Sequence, residues 1–326
     1  MTTHEYAIGI DIGGTTTSFG FVDRSGKVAV EATISTHAHE LARKLVERIC
    51  ATIDGLRCSC EGDIRLTGIG VGAPNANYRS GTVDHPVNLS WGASTNLVEL
   101  FRGYYDLPVA ITNDANAAAI GEMLFGGARG MKDFIVITLG TGLGSGLVAN
   151  GELLYGSNGL AGELGHTVVD PQGRDCACGK QGCLEAYVSA GGICRTVSEL
   201  LALRRDESPL RCIAPAELTS CDVYQAACMG DSLALAAFDR TARLLGMKLA
   251  DAAAHTGPEA IFVTGGLAEA GDVLLEPTRR YVEEFLFAPL RGSVKLLKSG
   301  MPESNGAIAG AAALIWHELG KSVVVG

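Results

Sequence analysis

Short apolar runs alternate with amphipathic segments along the whole chain, and most of the apolar runs end in glycine-rich turns. The apolar runs predict strands at residues 6–23, 66–74, 107–114, 133–150 and 260–266. Apolar residues with helical spacing predict helices at residues 38–56, 184–205, 232–255, 273–287 and 306–319. Strands that alternate with helices in this way indicate an α/β fold.

Two segments of the chain share one form and predict an internal duplication. Residues 6–23 and 133–150 each contain an apolar strand, a turn rich in glycine and threonine, and a second apolar strand. When Gly13 is aligned with Gly140, the flanking apolar positions coincide. Two β-hairpins of the same design, one in each half, predict two α/β domains that arose by duplication.

The length and composition suit such a two-domain protein. The chain has 326 residues and is 47% hydrophobic, which is enough material for sizeable cores. We expect a small α/β domain at residues 1–115, completed by a C-terminal helix at about 308–326. The remaining residues, 116–307, are expected to form a larger α/β domain with a cysteine-rich insertion.

Charge and cysteine content exclude several classes of protein. The formal net charge is −10 and the chain has no run of basic residues, so we expect neither nucleic acid nor an anionic membrane as a main partner. Ten cysteines are too few for a disulfide scaffold in a chain of this length. No stretch reaches the roughly 18 apolar residues of a membrane span, and the first residues do not resemble a signal peptide. We therefore expect a cytoplasmic protein.

Three turns that follow apolar strands have the composition of phosphate-binding loops. Glycine lets backbone amides approach an anion closely, and threonine adds a hydroxyl donor. The alternative is that they are tight turns without a ligand. The first two turns contain no lysine or arginine, so bound phosphates would need a divalent cation, and Asp11 could hold Mg²⁺ through water. The turn residues are Gly13, Gly14, Thr15 and Thr16, then Gly140, Thr141 and Gly142, then Gly265 and Gly266.

An apolar strand at residues 107–112 ends in Asn113 and Asp114 and continues directly into an alanine-rich segment. In such a position an Asp or Asn commonly caps the following helix. The alternative is a carboxylate that takes a proton from a substrate hydroxyl, with Asn113 orienting that substrate. Both roles could coexist if Asn116 shares in capping the helix.

Three cysteines lie within eight residues, at Cys176, Cys178 and Cys183, and His166 lies ten residues upstream of the first. Three thiolates and one imidazole form a common ligand set for tetrahedral zinc. The spacing differs from the usual C-x-x-C pair, in which two residues separate the cysteines, so a chance cluster of reduced thiols is the alternative. Glu163 and Glu185 flank the cluster, which would place two carboxylates beside the metal.

Together these motifs resemble the ROK family (repressors, open reading frames, kinases) in its sugar-kinase branch. The matching segments are DIGGTT, NLSWG, ITNDANAA, LGTGLGSG, AGELGH, CxCGxxGCLE and TGGLA, in that order, from Ala7 to about Leu314. Within the family the chain is most similar to bacterial glucokinases and N-acetylhexosamine kinases. The resemblance implies an actin/hexokinase-type, ribonuclease H-like two-domain fold, with a cleft between domains that close over sugar and ATP.

The resemblance also implies roles for individual residues. Asp114 would be the catalytic base, and the cysteine cluster with His166 would bind one structural zinc ion. Mg²⁺ would accompany ATP, and the protein would assemble as a homodimer or a dimer of dimers. The sequence departs from the family pattern at Asn75, Val87 and Ser90, in loops that border the sugar. The residues implied in sugar binding are Gly72, Asn88, Asn113, Asp114, Glu163, His166 and Glu185.

We expect ATP-dependent phosphorylation of a hexose, with glucose converted to glucose 6-phosphate. Fructose, mannose, N-acetylglucosamine and N-acetylmannosamine are alternative substrates. A repressor of this family would need an N-terminal DNA-binding segment of about 60 or more residues, and ten residues precede Asp11 here. A structural zinc module or a sugar sensor without catalysis is the alternative that is not an enzyme.

Overall fold

The computed structural model describes residues 4–60, 63–86, 89–302 and 304–324, without the side chains of the last three. The chain forms two compact units. The first unit consists of Met1–Met131, Leu153–Ala161 and Gly300–Gly326, and the second of Lys132–Glu152 and Gly162–Ser299. Among the helices in these described ranges, none is both long and apolar enough to cross a membrane.

The first unit contains a five-stranded sheet with the order β3-β2-β1-β4-β8 and a small sheet with the order β5-β6-β7. β1 pairs antiparallel with β2 and parallel with β4, which in turn pairs parallel with β8. In sequence order the elements are β1 (His4–Ile12), β2 (Thr16–Val22), β3 (Val28–Ser35), α1 (Ala42–Ser59), β4 (Ile64–Gly72), β5 (Ala76–Asn77), β6 (Thr82–Asp84), β7 (Ser94–Asn96), α2 (Leu97–Arg102), β8 (Val109–Thr112) and α3 (Asp114–Leu124).

The second unit contains a five-stranded sheet with the order β11-β10-β9-β12-β13. Its elements are β9 (Phe134–Leu139), β10 (Leu143–Ala149), β11 (Glu152–Leu153), α4 (Glu185–Val188), α5 (Ala190–Leu203), α6 (Ser220–Cys228), α7 (Ser232–Thr256), β12 (Ala260–Thr264), α8 (Asp272–Phe285) and β13 (Lys295–Lys298). β9 pairs antiparallel with β10 and parallel with β12. The two large sheets therefore repeat one design, as the paired hairpins predicted.

The last helix, α9 (Gly306–Val324), lies directly on the central strands of the first unit. A Cβ atom on Gly9 of β1 would overlap the backbone carbonyl of Ile308, and one on Gly70 of β4 would overlap that of Ala311. Glycine is therefore required in both strands, because any side chain would push α9 away from the sheet. This close packing explains why the two ends of the chain share one unit.

The first unit extends beyond the predicted boundary at residue 115. α3 packs along α9, and a Cβ atom on Gly121 would lie 3.0 Å from the Cα atom of Gly310. Because α9 belongs to the first unit, it keeps α3 there, and the chain passes into the second unit only after Met131. It returns to the first unit briefly at Leu153–Ala161 and finally at Gly300, before the residue 308 that we expected.

Some predicted elements differ from the observed ones for local reasons. The helix predicted at 184–205 is two helices, because Ser189 adopts an extended conformation and its side chain caps α5 by accepting the N–H of Gly192. The first helix begins at Ala42 instead of residue 38, since the preceding residues form a turn. α7 closely matches its prediction; it begins after the Asp231 cap and ends at Gly257, which has φ +58°.

Candidate active site and metal cluster

In the first unit, three neighbouring strands bring Asp11, Gly72 and Asp114 together. The strand register places Asp11 opposite Gly72 and Gly72 opposite Thr112, two residues before Asp114. A Cβ atom on Gly72 would lie 3.7 Å from Oδ1 of Asp11 and 3.9 Å from the Cα atom of Asp114. Gly72 therefore leaves space between the two aspartates at one edge of the sheet, where α/β sheets commonly bind ligands.

The start of α3 divides the capping role between two side chains. Asn113 is the N-cap: its Oδ1 accepts the N–H of Asn116 at 2.7 Å. Oδ1 of Asp114 accepts the N–H of Ala115 at 2.8 Å. The suggestion that Asn116 caps the helix is wrong, because Asn116 supplies the amide and its own side chain is buried within α3. Asn113 therefore fixes the position from which Asp114 projects.

Both aspartates have raised pKa values, and the charge of Asp114 contributes to the shift of Asp11. Burial, together with the negative charge of Asp114, raises the pKa of Asp11 to about 6. Partial desolvation also raises the pKa of Asp114, although this residue keeps a solvent-exposed face. A raised pKa makes Asp114 a better proton acceptor, and the crowded negative charge favours a bound cation.

The raised pKa of Asp11 predicts a cost in stability at neutral pH. Asp11 stabilises the fold below its unfolded-state pKa of 3.8, and that contribution is lost as the pH rises through about 6. We therefore expect Asp11→Asn to raise the free energy of unfolding at pH 8 by roughly 1–3 kcal/mol when no Mg²⁺ is added. The melting temperature should rise accordingly. Thermal melts should show this gain shrinking at pH 5; an equal gain at both pH values would contradict the assignment.

The turn between β1 and β2 is held by hydrogen bonds from the end of β3. The N–H of Gly13 donates to the carbonyl of Thr16 at 2.9 Å. Thr36 donates its hydroxyl to the carbonyl of Gly13 and its N–H to the carbonyl of Thr15, each at 2.8 Å. Thr15 and Thr16 remain exposed, so this fixed backbone carries two hydroxyl groups that face solvent.

In the second unit, the other two glycine turns lie at the same edge of the sheet. β9 and β12 are adjacent parallel strands, paired up to Thr138 and Thr264, and each leads into one of the turns. Gly265 has φ +94°, and a Cβ atom there would lie 2.5 Å from the carbonyl oxygen of Leu139. Gly265 is therefore required for the fold itself. Gly140, by contrast, faces open space, so a side chain there would affect a ligand and not the packing.

The three cysteines and His166 also come together in the second unit. All four ligand atoms lie within 4.8 Å of one another. Nδ1 of His166 lies 3.7 Å from Sγ of Cys176, and the Sγ atoms of Cys178 and Cys183 are 3.6 Å apart. A tetrahedral zinc ion with Zn–S bonds of about 2.3 Å separates its sulfur ligands by roughly 3.8 Å. The donor set and its spacing therefore fit zinc.

The cluster determines which nitrogen of His166 would be available to a substrate. Nδ1 faces the thiols, whereas Nε2 lies 3.9 Å from a carboxylate oxygen of Glu163. A metal held through Nδ1 would leave Nε2 on the side of Glu163. His166 and Glu163 therefore form one polar surface beside the cluster.

Comparison with known proteins identifies the family. The ROK family model matches residues 7–318. The chain belongs to the ROK family. A glucokinase of Halalkalibacterium halodurans is 36% identical over 93% of each chain, and a glucokinase of Thermotoga maritima is 33% identical over 96% of this chain and 98% of its own. The structure is similar to that of a ROK family glucokinase from Streptomyces griseus in complex with glucose and AMPPNP, with a TM-score of 0.79, 33% identity and coverage of 95% of this chain and 98% of that one.

Arg174 anchors the cysteine-rich loop of this ROK protein, a role that the sequence did not reveal. Its side chain is buried, with its guanidinium 4.4 Å from the Tyr187 ring centroid. All five of its N–H groups donate hydrogen bonds, which makes its burial favourable. The acceptors are both carboxylate oxygens of Glu199, the carbonyls of Ala186 and Gly192, and the hydroxyl of Thr196. The cysteine-rich loop is therefore attached to α5 by hydrogen bonds between protein groups alone.

Glu185, the first residue of α4, is held by the glycine turn that follows β9. Its Oε2 accepts the N–H of Leu143 at 2.9 Å. A Cβ atom on Gly142 would lie 2.5 Å from the same oxygen. The absence of a side chain at Gly142 thus lets the carboxylate reach the turn. A turn expected to bind nucleotide therefore positions a carboxylate expected to bind sugar.

This contact predicts a specific effect of Gly142→Ala. The added methyl group should displace the Glu185 carboxylate and raise KM for sugar several-fold, with a smaller change in KM for ATP. Gly140→Ala is the matched control, because its methyl group would meet nothing within 4 Å and should leave KM for sugar unchanged. Steady-state kinetics with each substrate varied would test this, and equal effects of the two variants on sugar would contradict it.

Ser145 in β10 is a further positioning residue that the sequence did not reveal. Its buried hydroxyl donates to the carbonyl of Gly162 and accepts the N–H of Leu164 at 3.2 Å. These bonds hold both sides of Glu163. Ser145 stands among the glycines of LGTGLGSG, so its sequence context gives no sign of a role. Only its hydrogen bonds to Gly162 and Leu164 in the folded chain assign one.

One residue expected to bind sugar, Asn88, lies outside the described residues. Its loop is described from Leu89 onward, and the N–H of Ser90 donates to the carbonyl of Ala38 at 2.7 Å. The turn that follows β3 is therefore attached to the loop that carries Asn88.

Proposed function

We propose that this protein is an ATP-dependent hexokinase that converts glucose to glucose 6-phosphate. The observation that carries the proposal is the pairing of Asp11 and Asp114 across Gly72 at adjoining strand ends. Relatives named glucokinase, at 33–36% identity over most of the chain, support glucose as the substrate.

In the proposed reaction Asp114 accepts the proton of the 6-hydroxyl group as its oxygen attacks the γ-phosphorus of ATP. The new O–P bond forms while the bond from the γ-phosphorus to the bridging oxygen of ADP breaks. The raised pKa of Asp114 suits a general base, and Asn113 holds its backbone in place. ADP leaves with the electron pair of the broken bond.

Charge on the phosphates is offset mainly by backbone dipoles and hydroxyl groups in this proposal. Gly13, Gly14, Thr15 and Thr16 would meet the phosphates from the first unit. Mg²⁺, when bound with ATP, would neutralise phosphate charge, and Asp11 would hold it through water. The turns that would serve the nucleotide from the second unit contain Gly140, Thr141, Gly142, Gly265 and Gly266.

Sugar specificity would come from the polar residues around the cysteine cluster. Glu163, Glu185 and Nε2 of His166 would bind sugar hydroxyls, with Asn88 and Asn113 contributing amide groups. Zinc, when bound by His166, Cys176, Cys178 and Cys183, would fix the imidazole ring and leave no open coordination position for chemistry. Its contribution would be positional.

An ADP-release assay with a panel of hexoses tests the proposal. We expect turnover that depends on both sugar and ATP, with the highest kcat/KM for glucose among glucose, mannose, fructose, N-acetylglucosamine and N-acetylmannosamine. If the enzyme preferred an N-acetylhexosamine or fructose, the assignment as a kinase would stand and only its substrate would change. Sugar binding by calorimetry without ADP release would instead indicate a sensor.

We also propose that the protein is cytoplasmic and assembles as a homodimer or a dimer of dimers. The proposed assembly rests on the family alone. Light scattering at micromolar concentration tests the assembly, and a clean monomer would refute it.

A further inference from the structure

A second group of metal-ligating side chains lies in the turn between β3 and α1 of the first unit, whereas the cysteine cluster belongs to the second unit. It consists of His37, His39 and Glu40, which we call the histidine turn. One ligand atom from each residue lies within 4.8 Å of the other two. Neither histidine has a role in the proposed reaction.

The backbone of the histidine turn is arranged to bring these side chains together. The N–H of Glu40 donates to the carbonyl of His37 at 2.8 Å, which closes the turn. His37 has φ +51°, a left-handed conformation that is uncommon for residues with a Cβ atom. Strain of this kind is concentrated at functional positions. The rings of His37 and His39 are consequently only 6.0 Å apart.

Neighbouring residues orient the carboxylate of the histidine turn. Nη2 of Arg48 lies 3.4 Å from Oε2 of Glu40, and Arg48 also donates to the carbonyls of Ser35 and Thr36. The contact fixes the carboxylate through one oxygen. The positive charge of Arg48 opposes a bound cation, so a metal here would be held more weakly than one in the cysteine cluster.

The donor set indicates which metals would bind. Two imidazoles and one carboxylate suit Zn²⁺ and other divalent transition metals, and three protein ligands leave coordination positions for water. A tetrahedral site requires ligand atoms roughly 3.3 Å apart. Both histidines are exposed, so modest side-chain rotations can close the remaining distance, and a metal could enter from solvent.

We propose that His37, His39 and Glu40 form an exchangeable site for a divalent transition metal, distinct from the cysteine cluster. The site would take up Zn²⁺ when the free ion is abundant and release it to a chelator that does not strip the cysteine cluster. It would add a second metal to each chain.

Calorimetric titration of zinc-loaded, desalted protein with ZnCl₂ tests the proposal. We expect one further equivalent of Zn²⁺ per chain in the wild type. His37→Gln and His39→Gln should each weaken this binding at least tenfold, and Glu40→Gln should weaken it less. The matched control is His255→Gln, which removes an exposed histidine at the end of α7 and should bind as the wild type does.

Two results would overturn the proposal. One is a wild type that binds no further zinc once the cysteine cluster is loaded. The other is undiminished binding in both His37→Gln and His39→Gln, with unchanged circular dichroism spectra. Either result would leave the proposed kinase activity unaffected, because the titration is independent of turnover.

Discussion

Replacing Asp114 with Asn is expected to lower kcat by at least about 100-fold, as befits the loss of a general base. The amide has nearly the shape of the carboxylate, and its oxygen can still accept the N–H of Ala115. The start of α3, ATP binding and sugar binding should therefore persist. Steady-state turnover, calorimetric binding of both ligands and circular dichroism would measure the three properties separately.

The matched control for this variant is Asp272→Asn. Asp272 also opens a helix, α8, but its side chain is largely exposed and has no role in the proposed reaction. The control should turn over normally. Near-normal turnover in Asp114→Asn as well would show that Asp114 has only a structural role at the start of α3.

Cys178→Ser is expected to remove the zinc ion and to raise KM for sugar by roughly 10- to 100-fold, an effect of the size found for activity when the partners that orient metal ligands are lost. Without the metal, His166 loses its fixed ring and the segment before Glu185 loosens. KM for ATP should change far less. Gly140 and Gly265 lie in turns that follow the paired strands β9 and β12, and neither turn contains a residue of the cysteine cluster. The melting temperature should fall, since structural zinc contributes folding free energy.

Metal analysis of the purified protein is the first measurement for this prediction and should give one firmly bound zinc ion per chain. Cys212→Ser is the control, because Cys212 is an exposed cysteine outside the cluster. An unchanged KM for sugar in a zinc-free Cys178→Ser enzyme would limit the metal to stabilising the fold. A wild type without zinc would contradict the metal assignment.

The sequence predicted those parts of the fold that depend on local patterns. The spacing of apolar residues and the capping residues predict the duplicated hairpins and α7, and the structure contains these elements where expected. The small sheet β5-β6-β7 and the strand β13 were missed, because strands of two to four residues carry too short a pattern to recognise. The extent of the first unit depends on Gly121 packing against α9, which no local pattern reveals.

The candidate site shows the same division. Asp11 and Asp114 could be selected because each stands at the end of an apolar strand. The tasks of Gly142, Ser145 and Arg174 depend on partners distant in the sequence, so only the folded chain assigns them. The sequence suggested a ligand contact for Gly265, and the structure adds a separate reason for glycine there, because φ is +94° and a Cβ atom would overlap the carbonyl of Leu139.

The position of α9 constrains the order in which the nascent protein can fold. The central strands β1 and β4 are synthesised early, but the helix that covers Gly9 and Gly70 begins only at Gly306. On the ribosome the second unit can therefore complete its core while the first still exposes an apolar sheet surface. Until α9 emerges, that surface stays uncovered, and its contacts of high sequence separation should make the first unit the slower to form.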